Sequence, residues 1–114
     1  MPLLKWVNDA DARRAASQVP FHLLERKAVY GDPDQAENNL IVHGDNLVAL
    51  KALLPFYKGK VKCIYIDPPY NSGNAFEYYD DNLEHSQWLS LMYSRLVLLR
   101  DYLQAVSYTH LTLA

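Results

Sequence analysis

Four consecutive residues, Asp67, Pro68, Pro69 and Tyr70, combine the groups that would hold a planar amine. The Asp67 side chain offers carboxylate oxygens, and Pro68 offers a carbonyl oxygen without an N–H of its own. Because each proline fixes its own φ and Pro69 also restricts Pro68, this turn is stiff before a ligand arrives. Tyr70 adds a flat aromatic face beside the two acceptors.

These groups suit the exocyclic amino group of a nucleobase. Asp67 and the Pro68 carbonyl can each accept one amine hydrogen while the base stacks on Tyr70. As the amine nitrogen attacks an electrophile it gains positive charge, which fixed acceptors stabilise more in the transition state than in the ground state. The predicted chemistry is direct attack by the nitrogen, without a covalent enzyme intermediate. The plainer alternative is a turn that ends a strand, since Asp and Pro are ordinary turn residues.

The elements that would position this turn alternate between strands and helices. Two short, apolar, β-branched runs predict strands over residues 40–43 and 61–66, the second of them buried. Apolar residues at helical spacing and flanking caps predict three helices: residues 9–19, a helix from Asp45 or Asn46 to Pro55, and residues 84–103. From residue 40 onward the order is βαβα, which predicts parallel strands in an α/β sheet. In such sheets ligands bind at the carboxyl ends of strands, where Asp67 stands.

The composition limits the class of protein. With 114 residues, of which 50% are hydrophobic and 21% charged, the chain is long enough for one small folded domain. A net charge of -2 argues against a protein that coats duplex DNA, although not against an enzyme whose cationic surface lies elsewhere. The single Cys63 excludes an internal disulfide and, with no closely spaced His pair, a structural zinc site. No stretch predicts a membrane span or secretion signal, so the expected location is cytoplasmic.

Residues 67–70 resemble the catalytic motif of amino-group DNA methyltransferases, which transfer a methyl group from S-adenosylmethionine to adenine N6 or cytosine N4. Asp in the first position is the usual adenine form. The wider sequence is similar to the modification subunits of type III restriction systems over residues 40–103, because several motifs agree in order and spacing. These are Gly44-Asp45-Asn46-Leu47, Ile64 to Asn74, and Tyr79 to Ser86 with the following helix.

The resemblance implies an incomplete Rossmann-like fold of S-adenosylmethionine-dependent methyltransferases, with parallel strands and flanking helices. It implies a catalytic site formed by Asp67, Pro68, Pro69 and Tyr70, and a cofactor contact from Asp45 to the adenosine part of S-adenosylmethionine. The other role open to Asp45 is that of a helix N-cap alone. The implied partners are double-stranded DNA with a flipped base, a second copy of the subunit and a restriction subunit, with no membrane and no metal ion.

The resemblance also implies an N-terminal piece of a longer enzyme, because the glycine-rich cofactor loop and the target-recognition region follow the catalytic motif in this group. We expect a lead-in segment over residues 1–39, a partial catalytic domain over 40–103 and a non-native, uncharged tail over 104–114. The two predicted strands are not neighbours in the family's sheet, so the chain alone is expected to fold poorly and to be inactive. Two alternatives remain: cytosine N4 methylation on the same scaffold, and a truncated chain that acts only as an interaction module.

The other notable side chains favour structural roles. Loop aromatics pack beside cores more often than they line base pockets, and acidic residues at a helix start complement its dipole more often than they bind metal. The residues concerned are Phe76, Tyr78, Tyr79, Asp80, Asp81, Glu84 and His85. Cys63 is expected on a buried strand. A core stripe is expected along the last helix, at Trp88, Met92, Leu96 and Leu99. For Arg95 and Arg100, solvent and phosphate are both open as partners.

Overall fold

One long helix organises the molecule. The computed structural model describes residues 2–36, 38–69 and 81–105, with side chains in the last range from His85 onward. Over these ranges the elements are α1 (Asp9–Gln18), α2 (Pro33–Ala36), α3 (Asn46–Tyr57) and α4 (Asp81–Tyr102). Both α1 and α3 pack against α4. The helices predicted over residues 9–19 and 84–103 are confirmed to within three residues at each end.

The contact between α1 and α4 is built around a cation between two aromatic rings. The Arg13 guanidinium lies 5.0 Å from the ring centroid of Trp6 and 5.0 Å from that of Tyr93. The Trp6 indole N–H donates to Ser90 Oγ at 2.9 Å, so its polar edge is paired as its apolar face is covered. These contacts fix the segment before α1 against the middle of α4.

The core is small and is not a single stripe on α4. Small side chains from α1 and α3 meet larger ones from α4, and the buried residues are Ala12, Ala16, Ala52, Met92, Ser94, Leu98 and Tyr102. The prediction of a buried stripe is right for Met92 and wrong for Leu96, which is 38% exposed. Because α1 and α3 cover different faces of α4, the buried residues of α4 lie at two helix–helix contacts and do not form one apolar stripe with a helical period.

The end of α3 differs from the predicted stop at Pro55. The helix includes Pro55 and continues to Tyr57, with the Lys58 amide donating to the Leu54 carbonyl at 2.9 Å. A proline removes only its own N–H, and within the last turn that loss does not prevent the next amides from bonding. The Tyr102 hydroxyl of α4 donates to the Leu50 carbonyl in the same helix.

The turn after α3 caps the end of α4. Gly59 has φ 69, a left-handed conformation that favours glycine, and its amide donates to the Asp101 carbonyl at 2.9 Å. The Val61 amide then donates to the Tyr102 carbonyl at 2.9 Å. Two carbonyls in the last turn of α4, which lack partners within the helix, are satisfied in this way.

The predicted Rossmann-like α/β fold is wrong: the described residues contain no strand and no sheet. Residues 61–66 form only one isolated parallel bridge, between Val61 and Leu103. In the other predicted strand Leu40 is 60% exposed and Ile41 is 87% exposed. A strand requires a neighbouring backbone to complete its hydrogen bonds. β-branched residues favour the extended conformation of a strand, but they do not supply that neighbour. For residues 40–43 and 62–66, no such neighbour is present among the described residues.

Cys63 also departs from its predicted burial, because it is exposed. From Ile64 to Pro69 the residues alternate between half-buried and exposed, with Tyr65 at 80% exposure. The alternation of burial that is typical of a strand is therefore present, although pairing with a neighbouring strand is not.

None of the helices in the described part of the chain has the length and apolar character of a membrane span.

Tyr102 gives the packing of α3 on α4 a pH dependence. Burial raises the pKa of Tyr102 to about 12 from its ordinary value of 10.0. Because the fold favours the neutral phenol, its contribution to the free energy of unfolding is complete below pH 10 and is lost as the pH rises towards about 12. Tyr102→Phe should lose about 1 kcal/mol at neutral pH, since the hydroxyl donates to Leu50, and should show a smaller alkaline loss.

Urea titration followed by circular dichroism measures both effects. Tyr65→Phe, at a residue that is 80% exposed, is the matched control and should keep the wild-type stability. A Tyr102→Phe variant that unfolds like the wild type at every pH would contradict the role of this contact.

Candidate active site

The hydrogen-bond acceptors of the Asp-Pro-Pro turn include the Asp67 carboxylate, the Pro68 carbonyl and the Pro69 carbonyl. Only the last of these three accepts a hydrogen bond from the described residues. Asp67 and Pro69 are exposed and Pro68 is half-buried. The Trp88 indole N–H, from α4, donates to the Pro69 carbonyl at 2.5 Å. Within the described ranges, the Asp67 carboxylate and the Pro68 carbonyl accept no hydrogen bond. The two groups that the sequence predicts to hold an amine are thus available. The turn that carries them is held at the next residue by the hydrogen bond from Trp88 to the Pro69 carbonyl.

Asp45 is the N-cap of α3. Its Oδ1 accepts hydrogen bonds from the Leu47 amide at 2.9 Å and the Val48 amide at 3.2 Å, which pairs two amides that have no partner within the helix. Gly44, immediately before it, has φ 148, a region in which glycine is favoured. The predicted strand-to-helix turn is confirmed as a helix start, without the strand.

Arg95 reaches from α4 to the start of α3. Its Nε donates to Asn46 Oδ1 at 2.6 Å, and its Nη2 lies 3.6 Å from Asp45 Oδ2. Nη1 donates to the Leu91 carbonyl at 3.1 Å, within α4 itself. The Arg95 side chain is 16% exposed and that of Asp45 is 60% exposed, so the cation is covered while the carboxylate keeps an open face. The sequence leaves solvent and phosphate open as partners of Arg95, and the structure shows a different one, the start of α3.

A groove of about 200 Å³ lies beside Asp45. It is formed by the chain before α3 and by the first turns of α3, and its lining residues are His22, Leu23, Leu24, Val42, His43, Gly44, Asp45, Val48, Ala49 and Ala52. Residues 67–69 do not line it. The structure therefore shows two separate candidate half-sites, which are the groove at Asp45 and the turn at Asp67.

Several of the predicted site residues lie outside the described residues. Tyr70, the predicted stacking residue, is one of them, and so is the 71–74 segment of the motif. The others are Phe76, Tyr78, Tyr79, Asp80 and the side chains of Asp81 and Glu84. Among the residues that the structure does describe, no three His, Cys, Asp or Glu side chains cluster where a metal ion could bind.

Two residues that contact the half-sites were not identified from the sequence as functional. The sequence predicts Trp88 in the core, although an indole N–H that is partly covered normally requires an acceptor. For Arg95 the sequence leaves both solvent and phosphate open as partners. The usable signal was their spacing, because residues seven apart on α4 share one face of the helix.

Comparison with known protein families identifies the sequence that forms this site. A family model described as a DNA methylase matches residues 61–110, a range that contains Asp67 and Trp88. The chain belongs to the DNA methylase family. The resemblance to amino-group DNA methyltransferases is thereby confirmed, and the roles of residues 67–70 stay a prediction.

The chain is similar to curated modification subunits of type III restriction systems. It is 46% identical over 87 residues to the probable type III restriction-modification enzyme HindVI Mod subunit of Haemophilus influenzae, covering 76% of this chain and 10% of the relative. It is 32% identical over 133 positions to the EcoPI Mod subunit of Escherichia phage P1, covering 89% of this chain and 21% of that one. The EcoP15I Mod subunit of Escherichia coli is also 32% identical, over 86% of this chain and 20% of its own length. No solved structure gives a significant match.

The chain therefore spans between 10% and 21% of the length of these three relatives. The matched part contains both the Asp-Pro-Pro turn and α4, so the similarity bears directly on the candidate active site.

The two carboxylates of the half-sites should differ in what they do for the fold. Asp45→Ala removes the N-cap of α3 and should cost about 1 kcal/mol of stability. Asp67→Ala, at an exposed residue without a partner in the described part of the chain, should stay within about 0.5 kcal/mol of the wild type. Asp45→Asn keeps an oxygen for the cap and should recover most of the loss. Urea unfolding of the three variants measures this, and equal losses at both positions would refute the separation of roles.

Proposed function

We propose that this chain contributes the amine-binding turn of a DNA methyltransferase that methylates adenine N6 in a specific DNA sequence, within a restriction-modification system. One observation carries the proposal: the Asp67 carboxylate and the Pro68 carbonyl are available on a rigid turn, in a chain whose family is a DNA methylase. The similarity to relatives named as Mod subunits of type III restriction-modification enzymes supports this biological setting.

In the proposed reaction, Asp67 and the Pro68 carbonyl each accept one hydrogen bond from the adenine amino group. The methyl donor, when bound, would supply an electrophilic methyl group: a nitrogen–carbon bond to N6 would form as the carbon–sulfur bond of the donor breaks, and the electron pair of that bond would stay on sulfur. The nitrogen gains positive charge in this step and afterwards releases one proton to solvent. Because the two acceptors are already in place, they stabilise the developing charge without reorganising.

The base must leave the duplex to reach this turn, since in stacked DNA one amine hydrogen is used in the base pair and the ring face is covered by neighbouring bases. Tyr70 is proposed to stack on the extruded adenine, next to the two acceptors. Asp67 as the first residue of the motif favours adenine over cytosine, following the form that is usual in the family.

S-adenosylmethionine is the proposed cofactor, and it supplies an electrophilic methyl group bonded to a cationic sulfur. The groove beside Asp45 fits part of it. At about 200 Å³ it is smaller than the roughly 300 to 1,000 Å³ of pockets that bury a whole ligand of drug size. Its apolar wall and the open face of the Asp45 carboxylate suit a nucleoside with a polar edge, and Oδ2 retains acceptor capacity beyond its contact with Arg95. The remaining cofactor contacts come from outside the described residues.

The proposed partners are double-stranded DNA, a second copy of the subunit and a restriction subunit. The net charge of -2 gives this chain no overall attraction for the phosphates of duplex DNA. We therefore assign most of the DNA binding to a cationic surface elsewhere in the complete protein.

The test uses the complete open reading frame that contains this sequence. The purified protein is incubated with unmethylated DNA and methyl-labelled S-adenosylmethionine, and the labelled nucleoside is identified after digestion. We expect N6-methyladenine, and we expect Asp67→Ala to lower the rate at least about 100-fold, since it removes one of two charge-stabilising acceptors.

Asp34→Ala, at an exposed position of α2, is the matched control and should methylate at the wild-type rate. Labelled N4-methylcytosine would overturn the choice of base. Unlabelled DNA from the wild-type protein would overturn the enzymatic proposal and favour the interaction module.

A further inference from the structure

Three side chains on one face of α4 donate hydrogen bonds to residues 46–69, the segment that adjoins both half-sites. Trp88, Arg95 and Tyr102 are spaced by seven residues, and seven residues are close to two helical turns, so their side chains leave the same face of the helix. Trp88 donates to the Pro69 carbonyl, Arg95 to Asn46 Oδ1, and Tyr102 to the Leu50 carbonyl. These three acceptors lie between residues 46 and 69, and Arg95 donates in addition to the Leu91 carbonyl and to Ser94 Oγ within α4.

We propose that Trp88 and Arg95 are positioning residues that set the two halves of the active site at a fixed separation along α4. This inference rests on the proposed function and adds to it the residues that align its parts. Seven residues correspond to about 10 Å along a helix axis, so the contact to the catalytic turn and the contact to the cofactor groove are set about 10 Å apart on one rigid element.

Trp88 acts through the Pro69 carbonyl. With two prolines in sequence the turn has few backbone freedoms, and holding the last carbonyl fixes the direction in which the preceding Pro68 carbonyl and Asp67 point. Trp88 touches neither of those two groups by hydrogen bond, and its effect should therefore appear in the rate of the reaction and not in cofactor binding.

Arg95 acts through Asp45 and Asn46. The guanidinium makes a short bond to Asn46 at 2.6 Å and lies 3.6 Å from Asp45, so it fixes the side of the Asp45 carboxylate that is not occupied by the helix cap. Its planar fork reaches both residues at once, which a lysine ammonium cannot reproduce. Loss of Arg95 should therefore weaken cofactor binding.

The experiment compares four substitutions on α4 in the complete protein. Trp88→Phe keeps a ring and removes the N–H, Arg95→Gln removes the fork, and Arg95→Lys keeps the charge without the fork. Arg100→Gln, on the same helix at an exposed position, is the matched control. For each protein, S-adenosylmethionine binding is measured by calorimetry, and the methylation rate is expressed per cofactor site, so that an unfolded fraction lowers the stoichiometry and not the rate.

We expect Trp88→Phe to lower the rate per site about tenfold with Kd for S-adenosylmethionine within about twofold, because a small displacement of a reacting group costs rate. We expect Arg95→Gln to raise that Kd about tenfold and Arg95→Lys to raise it less. Arg100→Gln should change neither quantity.

Wild-type rates and Kd in both Trp88→Phe and Arg95→Gln would overturn the inference and leave the proposed function in place. A lowered stoichiometry with unchanged rate and Kd would also overturn it, since that result is one of folding alone. A wild-type protein that transfers no methyl group to DNA would overturn the proposed function, and this inference with it.

Discussion

The hydrogen bond from the Trp88 indole to the Pro69 carbonyl is the constraint on which the candidate active site depends. Residues 62–69 belong to no helix or strand, so the position of the Asp-Pro-Pro turn follows from side-chain contacts and from the single bridge at Val61. Two prolines make the turn stiff, but stiffness alone does not direct it. The indole N–H supplies the direction, and it comes from a helix that α1 and α3 already hold in place.

That helix combines structural and functional contacts. On the side of α1 it meets Trp6 and Arg13, which pack against Ser90 and Tyr93. Towards residues 45–69 it presents Trp88, Arg95 and Tyr102. Because few of the described residues are buried, the specific polar contacts among them carry a large part of the positioning. The expectation that the chain alone folds poorly remains a prediction, and the small core is in keeping with it.

The sequence predicted three of the four described helices, missed the short α2, and was wrong about the sheet, for a physical reason. A helix completes its hydrogen bonds within one segment, so the spacing of Leu47, Leu50 and Leu54 and the cap at Asp45 were sufficient information. A strand completes them with another segment, and the β-branched run at residues 61–66 contains no information about that partner. The contacts of Trp88 and Arg95 were missed for the same reason, because their acceptors lie 19 and 49 residues away in sequence. The Asp-Pro-Pro motif was identifiable because its chemistry is local.

Nuclear magnetic resonance of the indole N–H groups tests the central claim most directly. The measurement is made on the complete protein, to which this chain contributes two tryptophans, and Trp6 serves as the internal reference because its N–H donates to a side-chain hydroxyl. With labelled indole nitrogen and labelled proline carbonyl carbon, the account predicts slow solvent exchange of the Trp88 N–H and a scalar coupling across the hydrogen bond to the Pro69 carbonyl. A Trp88 N–H that exchanges as fast as free tryptophan, with no such coupling, would contradict it.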